Sequence, residues 1–115
     1  MRKTVIVLAL MLAATQALAD KRLVESPAAP KAIGPYSQAI RSGKLVFVSG
    51  SLPFDPSGKI DYSQQDVTAQ TRRAIDNIAL ELKAANLTLD DVVSATVYVT
   101  DLDDFPAVNK VYASY

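Results

Sequence analysis

The stretch Gly34-Pro35-Tyr36-Ser37-Gln38-Ala39-Ile40 and a second one, Leu45-Val46-Phe47-Val48-Ser49-Gly50-Ser51-Leu52-Pro53, carry the strongest structural signals of the sequence. In each stretch a side chain that forms hydrogen bonds stands beside proline, which fixes φ, or glycine, which permits conformations closed to other residues. Ser42-Gly43 between them is a turn signal, and β-branched and aromatic residues follow it. The sequence therefore predicts strands over residues 36–41 and 44–49, paired as an antiparallel hairpin.

Weaker signals flank this hairpin on both sides. Leu23-Val24 is a candidate start of an edge strand, and residues 26–34, with prolines at 27 and 30, are predicted to be extended rather than helical. After the hairpin, Asp55-Pro56-Ser57-Gly58 has proline at the second and glycine at the fourth position of a β-turn. We interpret it as a surface turn.

Residues 63–85 are the clearest predicted helix. Ser63 and Asp66 approximate a capping box, with aspartate where Glu or Gln is usual. Asn86 can adopt the left-handed conformation that ends a helix. An apolar stripe recurs at spacings of three and four: Val67, Thr71, Ala74, Ile75, Ile78, Leu82 and Ala85. The polar side chains of the helix are predicted to lie largely off this stripe: Arg72, Arg73, Asp76, Asn77, Glu81 and Lys83.

Residues 92–99 are predicted to form a strong strand, after a capped single turn at residues 88–91. One face of this strand is apolar and is expected to pack on the helices: Val93, Ala95, Val97 and Val99. The other face is uncharged: Val92, Ser94, Thr96 and Tyr98. Either a partner subunit covers this second face, or it is a solvated face with one exposed valine.

A last helix is predicted to start at Asp101-Leu102-Asp103-Asp104, where carboxylates interact favourably with the helix dipole. With Asp103 as the cap, Pro106 falls in the first turn, where its missing N–H costs little. The predicted apolar stripe consists of Phe105, Val108, Tyr112 and Tyr115.

Residues 1–19 are predicted to be a signal peptide. Arg2 and Lys3 form a basic start, residues 5–14 are mostly apolar, and Ala17-Leu18-Ala19 is a small-x-small cleavage pattern. The apolar run is shorter than the roughly 20 residues needed to span a bilayer; the alternative interpretation is a buried N-terminal helix. Cleavage after Ala19 would leave one domain, residues 20–115, in the periplasm or outside the cell.

Composition excludes several kinds of chemistry. The sequence has no cysteine and no histidine, so disulfides, cysteine nucleophiles, serine–histidine pairs and the usual zinc sites are ruled out. Without Arg2 and Lys3, 10 basic and 12 acidic residues remain, which is a formal net charge of −2. Lys21-Arg22 and Arg72-Arg73 are the only adjacent basic pairs after residue 19, so neither nucleic-acid nor membrane-surface binding is indicated.

The two opening stretches resemble the RidA family, also called YjgF/YER057c/UK114. The match begins at Pro30-Lys31-Ala32-Ile33 and continues through both stretches and the turn at Asp55-Pro56-Ser57-Gly58. It extends over nearly all of residues 20–115: Gln70, Asn77, Asp91-Val92-Val93, Thr96-Val97-Tyr98-Val99, Asp101-Leu102, Phe105, Val108, Asn109 and Tyr112. Ser51 departs from the family, which usually has glutamine there.

The resemblance implies an α+β fold like that of bacillus chorismate mutase, with an antiparallel or mixed sheet packed on two helices. It implies a homotrimer with active sites between subunits, and hydrolysis of 2-imino acids or their enamine tautomers to 2-oxo acids and ammonia. No metal or cofactor is expected, because an imine carbon is already electrophilic. The alternative is a non-catalytic member of the same fold that binds small ligands or acts like a chaperone. RNA cleavage, attached to some relatives, is disfavoured by the net charge.

The resemblance carries substrate binding over to Tyr36, Ser49 and Asn109. Tyr36 matches the tyrosine that closes the pocket wall, Ser49 the serine at the end of the second strand, and Asn109 the asparagine beside the ligand. Each has a structural alternative: Tyr36 packs, Ser49 satisfies a strand end, and Asn109 is a solvated helix residue. The family's carboxylate-binding arginine and water-placing glutamate would lie beyond Tyr115, so we expect a C-terminally truncated domain that is poorly folded or inactive by itself.

Overall fold

The computed structural model describes residues 20–59 and 66–115. The predicted signal peptide and Ser63, the first residue of the predicted capping box, lie outside these residues. Three strands form one antiparallel sheet in the order β1 (Lys21–Val24), β2 (Ala39–Ser42) and β3 (Leu45–Val48). The predicted hairpin is therefore confirmed, and Leu23-Val24 belongs to an edge strand.

The hairpin turn depends on Gly43. Ser42 pairs with Leu45, which leaves Gly43 and Lys44 as a two-residue loop. Gly43 has φ of 59°, a conformation that favours glycine, at the first of the two loop positions as a type II′ turn requires. β2 begins at Ala39 rather than Tyr36, because the Tyr36 N–H donates to Gly34 O at 2.8 Å and closes a local turn instead of joining the sheet.

The predicted surface turn after the hairpin is also present. The Gly58 N–H donates to Asp55 O at 2.9 Å, and Gly58 has φ of 77°. The Ser57 hydroxyl and the Lys59 N–H donate to the Asp55 carboxylate at 2.7 and 3.1 Å. These hydrogen bonds hold the pKa of Asp55 below its ordinary value.

The first helix, α1, spans Val67–Ala84 and begins later than predicted. Asp66 is its N-cap and accepts from the Ala69 N–H at 2.8 Å, so it is not the third residue of a capping box. The end agrees with the prediction: Asn86 has φ of 59°. The N–H groups of Asn86 and Leu87 donate to Lys83 O and Leu82 O, which is a Schellman motif.

The buried arc of α1 is wider than the predicted stripe. Leu82 and Ala85 are buried as expected, but Asn77 and Glu81 are buried as well. Placing these two residues off the packed face was wrong. At 100° per residue Glu81 lies between Ala74 and Asn77, so the helix packs over a broader arc than its apolar residues mark.

The second helix, α2, spans Phe105–Tyr112 and packs on α1. Its buried residues are Val108 and Val111, whereas Phe105, Tyr112 and Tyr115 are about half exposed, so only Val108 of the predicted stripe is buried. The packing of α2 is one-sided, which leaves the larger aromatic rings at the edge of the contact. The Tyr115 hydroxyl donates to Asp76 Oδ1 at 2.7 Å, and partial burial together with this carboxylate raises the pKa of Tyr115.

Single 3-10 turns precede residues 92–99 and α2. The first, Leu89–Asp91, agrees with the predicted capped turn, since Asp91 Oδ2 accepts from the Thr88 N–H at 2.8 Å. The second, Leu102–Asp104, uses Asp101 as its cap, so Asp104 rather than Asp103 precedes α2 and Pro106 is the second helical residue.

The strand predicted for residues 92–99 is not formed. These residues are neither helix nor strand, and Val93 and Tyr98, from opposite predicted faces, are 90% and 91% exposed. The packing of one face on the helices was therefore wrong. A β-strand exists only through hydrogen bonds to a neighbour, and the three described strands pair with one another instead.

The sheet has one packed face and one open face. Val24, Ala39 and Val48 lie opposite one another across the three strands and meet Ala85 at the end of α1. On the other face Leu23, Leu45 and Phe47 are 56%, 56% and 60% exposed. The architecture is thus the predicted α+β class, an antiparallel sheet with two helices. In the described ranges we find no helix with the length and apolarity to cross a membrane.

Candidate active site

A small pocket lies where the two stretches quoted first, residues 34–40 and 45–53, meet α1. Its volume is about 30 Å³, enough for one or two water molecules. Three parts of the chain line it: Pro30, Lys31, Ala32, Tyr36 and Gln38 from the first stretch and the residues before it; Ser49, Gly50, Ser51, Leu52 and Phe54 from the second and the residue after it; and Asn77 and Glu81 from α1.

Gln38 holds the first wall in place. Its side chain is buried, its Oε1 accepts from the Ser26 N–H at 2.6 Å, and its Nε2 donates to Ser26 O at 3.2 Å and Pro30 O at 2.8 Å. Residues between two prolines cannot form a helix or a regular strand by themselves, so the amide of Gln38 supplies the missing hydrogen bonds. These hydrogen bonds fix the backbone before Lys31 and place this residue beside the pocket.

Tyr36 is held by the residues immediately before it. Its hydroxyl oxygen accepts from the Ile33 N–H at 3.2 Å, and its ring lies beside Gly34, where an added Cβ would come within 3.4 Å of the ring. The tyrosine is 46% exposed, so it stands at the solvent side of the pocket. Its hydroxyl proton is available to donate to a ligand.

Ser49 and Ser51 fasten the second wall. The Ser49 hydroxyl donates to Ser37 O at 2.6 Å, while its N–H donates to Gln38 O at 2.9 Å. The Ser51 hydroxyl donates to Ala74 O on α1 at 3.1 Å. Both hydroxyl protons are thereby committed to backbone carbonyls.

Asn77 fixes this wall to the helix. It is only 2% exposed, and its Nδ2 donates to Leu52 O at 3.1 Å and Phe54 O at 2.8 Å. An irregular loop around Pro53 has carbonyls that no strand satisfies, so a buried amide on the facing helix is an effective partner.

Glu81 is the electrostatic exception in the pocket. It is 8% exposed, and its Oε2 atom is buried without a hydrogen-bond partner in the part of the chain that the structure describes. Burial disfavours the charged form and raises the pKa of this carboxyl from 4.5 to about 7. The group is therefore poised between its acid and base forms near neutral pH.

The structure brings two of the three predicted site residues together. Tyr36 and Ser49 line the same pocket, whereas Asn109 is exposed on α2 and is not part of the lining. Ser49 makes the strand-end contact that its structural alternative describes, while still facing the pocket. Substrate binding by the three residues stays a prediction.

Sequence reasoning missed Glu81, although one signal for it was present. Glu81 follows Asn77 by four residues, so the two side chains lie one above the other on the helix. Asn77 was already part of the family match, and its neighbour one turn on therefore shares the same packed surroundings.

A larger groove offers less chemistry. It has a volume of about 540 Å³ and lies between the sheet edge and the end of α1, lined by Arg22, Arg41, Asn86 and apolar residues. Both cations are already engaged: Arg22 pairs with Asp20 at 3.0 Å, and Arg41 Nη2 donates to Ala85 O at 2.7 Å. Across residues 20–59 and 66–115, no group of three acidic side chains is arranged to hold a metal.

Comparison with known proteins gives one consistent family. Residues 26–115 match the family described as Endoribonuclease L-PSP. A RutC family protein of Pyrococcus horikoshii is 45% identical over 96 residues, covering 83% of this chain and 75% of that protein. Escherichia coli TdcF, whose name describes it as a candidate reactive intermediate deaminase, is 40% identical over 96 residues, or 83% of this chain and 72% of TdcF.

Solved structures agree with the sequence matches. The crystal structure of Escherichia coli TdcF with bound serine has a TM-score of 0.75 at 39% identity, covering 81% of this chain and 72% of that one. RidA from an Antarctic Psychrobacter has a TM-score of 0.75 at 36% identity, covering 81% and 74%.

Proposed function

The chain belongs to the Endoribonuclease L-PSP family, which includes the RidA and YjgF proteins, and from this premise we propose that it hydrolyses reactive 2-imino acids and their enamine tautomers. The products are the 2-oxo acid and ammonia. One observation carries the proposal: within the described residues, three polar groups of the pocket lining have no hydrogen-bond partner, the Lys31 ammonium, the Tyr36 hydroxyl proton and Glu81 Oε2. The name of TdcF as a candidate deaminase supports the same class of reaction.

The free groups suit a small molecule with a carboxylate at one end. Lys31 and Tyr36 are exposed at the pocket and both donate hydrogen bonds, which is what a carboxylate accepts. The pocket volume admits a water molecule beside the imine carbon. The imine carbon is already electrophilic, so its hydrolysis depends mainly on proximity. The pocket provides this proximity by holding the carboxylate and orienting the water. The arginine that the resemblance implies would add a second cation to this grip.

We also propose that the site is completed between subunits of a homotrimer. The open face of the sheet, formed by Leu23, Leu45 and Phe47, is apolar and exposed, as expected of a surface that a second copy covers. Asn109 stands outside the pocket of its own chain. A neighbouring subunit would supply an Asn109 to each pocket, which would reconcile its predicted role with its position.

Ligand binding without catalysis is the second candidate. The related TdcF was solved with bound serine, an amino acid rather than an imine. The free cation and hydroxyl of the pocket would bind the carboxylate of an amino acid or a 2-oxo acid equally well. The two candidate functions therefore predict the same ligand binding, and they differ only in whether the protein hydrolyses the imine.

Ammonia release from 2-iminopropanoate separates these candidates. The imine is generated in situ by an amino-acid oxidase acting on L-alanine, and the protein is expressed from its whole reading frame. We expect hydrolysis well above the rate in buffer, and roughly a tenfold lower kcat/KM for Tyr36→Phe, since one hydrogen bond to a charged group is lost.

Tyr112→Phe is the matched control, because Tyr112 is a half-exposed tyrosine outside the pocket. It is expected to keep the wild-type rate. A protein that binds pyruvate or serine in calorimetry but leaves the imine lifetime unchanged would overturn the deaminase proposal in favour of binding.

A further inference from the structure

Glu81 is a buried carboxyl that neither the packing nor the family resemblance explains. Its Oε2 has no partner among the described residues, and the side chain is more than nine-tenths buried. The chain has only one other glutamate, Glu25, which is exposed. An ionised carboxylate without hydrogen bonds is costly in an apolar environment, so a group in this position is expected to hold a proton or meet a donor.

Four of the side-chain donors in the pocket lining do not satisfy Glu81, because they are committed to backbone carbonyls. The side chains of Gln38 and Asn77 donate to the carbonyls of Ser26, Pro30, Leu52 and Phe54. The hydroxyl groups of Ser49 and Ser51 donate to Ser37 O and Ala74 O. Across residues 20–59 and 66–115, the Lys31 ammonium and the Tyr36 hydroxyl proton have no partner, but both residues are exposed at the solvent side.

The unpaired groups of the pocket are therefore hydrogen-bond donors at its solvent side and an acceptor in its interior. Two donors of the lining are exposed to solvent, and one acceptor of the same lining, Glu81 Oε2, is buried. A ligand that matches this order has an anionic end that remains outside and a nitrogen or water with N–H or O–H groups that enters. The volume of about 30 Å³ admits that small end but not a whole amino-acid derivative.

We propose that Glu81 binds the nitrogen end of the imino acid and carries the proton between the attacking water and that nitrogen. This assignment rests on the deaminase function proposed above. It makes Glu81 a catalytic residue from α1 itself, separate from the glutamate that the family resemblance implies beyond Tyr115.

The step balances with water as the only co-reactant. The imine enters with its nitrogen protonated, as an iminium ion. The water oxygen bonds to the iminium carbon, the π electrons of the C=N bond move to the nitrogen, and one water proton passes to the Glu81 carboxylate, which gives a neutral carbinolamine. Glu81 returns that proton to the amino nitrogen, the C–N bond breaks, and its electron pair leaves with ammonia. The hydroxyl proton of the carbinolamine passes to the released ammonia as the 2-oxo acid carbonyl forms, so the products are the 2-oxo acid and ammonium, and no oxidant or reductant is consumed.

Composition and burial support a carboxyl in this role. Histidine, the usual acid–base group at neutral pH, is absent from the sequence, and so is cysteine. Burial raises the pKa of Glu81 to about 7, which is where a group can both accept and donate a proton efficiently.

The test compares Glu81→Gln with Glu25→Gln over pH 5–9 in the ammonia-release assay. Glutamine keeps the size of the side chain but cannot transfer a proton, so we expect kcat to fall about 100-fold and the inflection of the rate near pH 7 to disappear. Glu25→Gln removes an exposed carboxyl, so this variant is expected to keep the wild-type kcat and the inflection of the rate near pH 7. Glu81→Asp, which retains the carboxyl group, is expected to keep the inflection at a lower rate.

The outcomes separate this assignment from the function on which it rests. If the wild-type protein is active and Glu81→Gln has the same rate and the same pH profile, the role of Glu81 is overturned and the deaminase function stands. A wild-type protein that releases no ammonia above the buffer rate overturns both. A Glu81→Gln variant that is slow but keeps the inflection, with an unchanged circular dichroism spectrum, overturns proton transfer by Glu81.

Discussion

At the scale of single residues, two buried polar side chains one turn apart on α1 differ in their hydrogen bonding. Asn77 is buried and donates to two carbonyls, so its cost of desolvation is offset. Glu81 is buried on the same arc, and its Oε2 has no partner within the described ranges. Burial of the first residue organises the pocket wall, whereas burial of the second leaves a reactive carboxyl.

Glu81 should make the stability of the protein depend on pH. Its folded pKa of about 7 lies above the ordinary 4.5, so the native state binds more protons than the unfolded state between these values. The contribution of Glu81 to the free energy of unfolding therefore decreases as pH rises from 4.5 to 7. Above pH 7 this contribution no longer changes. Allowing for partial screening by solvent, we expect a loss of roughly 2 kcal/mol.

Urea unfolding of Glu81→Gln at pH 5 and pH 8 measures this effect. The variant should be more stable than wild type at pH 8 by up to about 2 kcal/mol, and the difference should shrink towards pH 5, because glutamine does not ionise. For Glu25→Gln, the difference in free energy of unfolding from wild type should be small and should be the same at pH 5 and at pH 8. A difference for Glu81→Gln that is the same at pH 5 and pH 8 would contradict the argument.

At the scale of an element, the end of α1 is held by local and long-range contacts at the same residues. Asn86 takes φ of 59° and turns the chain, while Arg41 from β2 donates to Ala85 O at 2.7 Å. Cations are favourable at a helix C-terminus, where carbonyls lack partners. This end of the helix is therefore joined to the sheet by packing and by a charge-assisted hydrogen bond.

Substitution of Asn86 should reveal the cost of its left-handed backbone. An alanine at φ of 59° is strained, so Asn86→Ala is expected to lower the free energy of unfolding by about 1 kcal/mol. Asn86→Gly should be as stable as wild type or slightly more stable, because glycine adopts this conformation without a Cβ. Thermal and urea unfolding of the pair give the comparison, and equal stability of the alanine and glycine variants would refute the strain argument.

At the scale of the whole molecule, two sets of exposed apolar groups among the described residues lie on surfaces that a partner could cover. One is the open face of the sheet, and the other is residues 92–99, where Val93 and Tyr98 are almost fully exposed. A surface of this kind is unusual for a monomer in water. It supports the proposal that further chains cover the domain in its functional state.

The trimer proposal makes a definite prediction for Phe47. Placing a charge on the open face with Phe47→Lys should bury an unpaired cation at the subunit contact, so the assembly should dissociate from three chains to one in light scattering. Leu102→Lys is the control, because Leu102 is exposed in the turn before α2 and outside the sheet. A wild-type protein with the mass of a single chain, or a Phe47→Lys variant that keeps the mass of three, would exclude this interface.

Sequence alone determined the features whose hydrogen bonds join near neighbours. The β2–β3 hairpin at Gly43, the turn at Asp55 and the end of α1 at Asn86 were all predictable, because the residue type itself selects the backbone conformation. The family resemblance implied that Tyr36 and Ser49 share a site, and both residues line the same pocket.

Tertiary structure decided the features that depend on distant partners. Glu81 is buried because the loop around Pro53 packs against its face of α1, and Asn109 is apart from the pocket because α2 packs on α1. Residues 92–99 have strong strand propensity but no strand, since propensity cannot provide the neighbour with which a strand forms hydrogen bonds. Periodicity reports which residues are apolar, whereas burial depends on what the rest of the chain places against them.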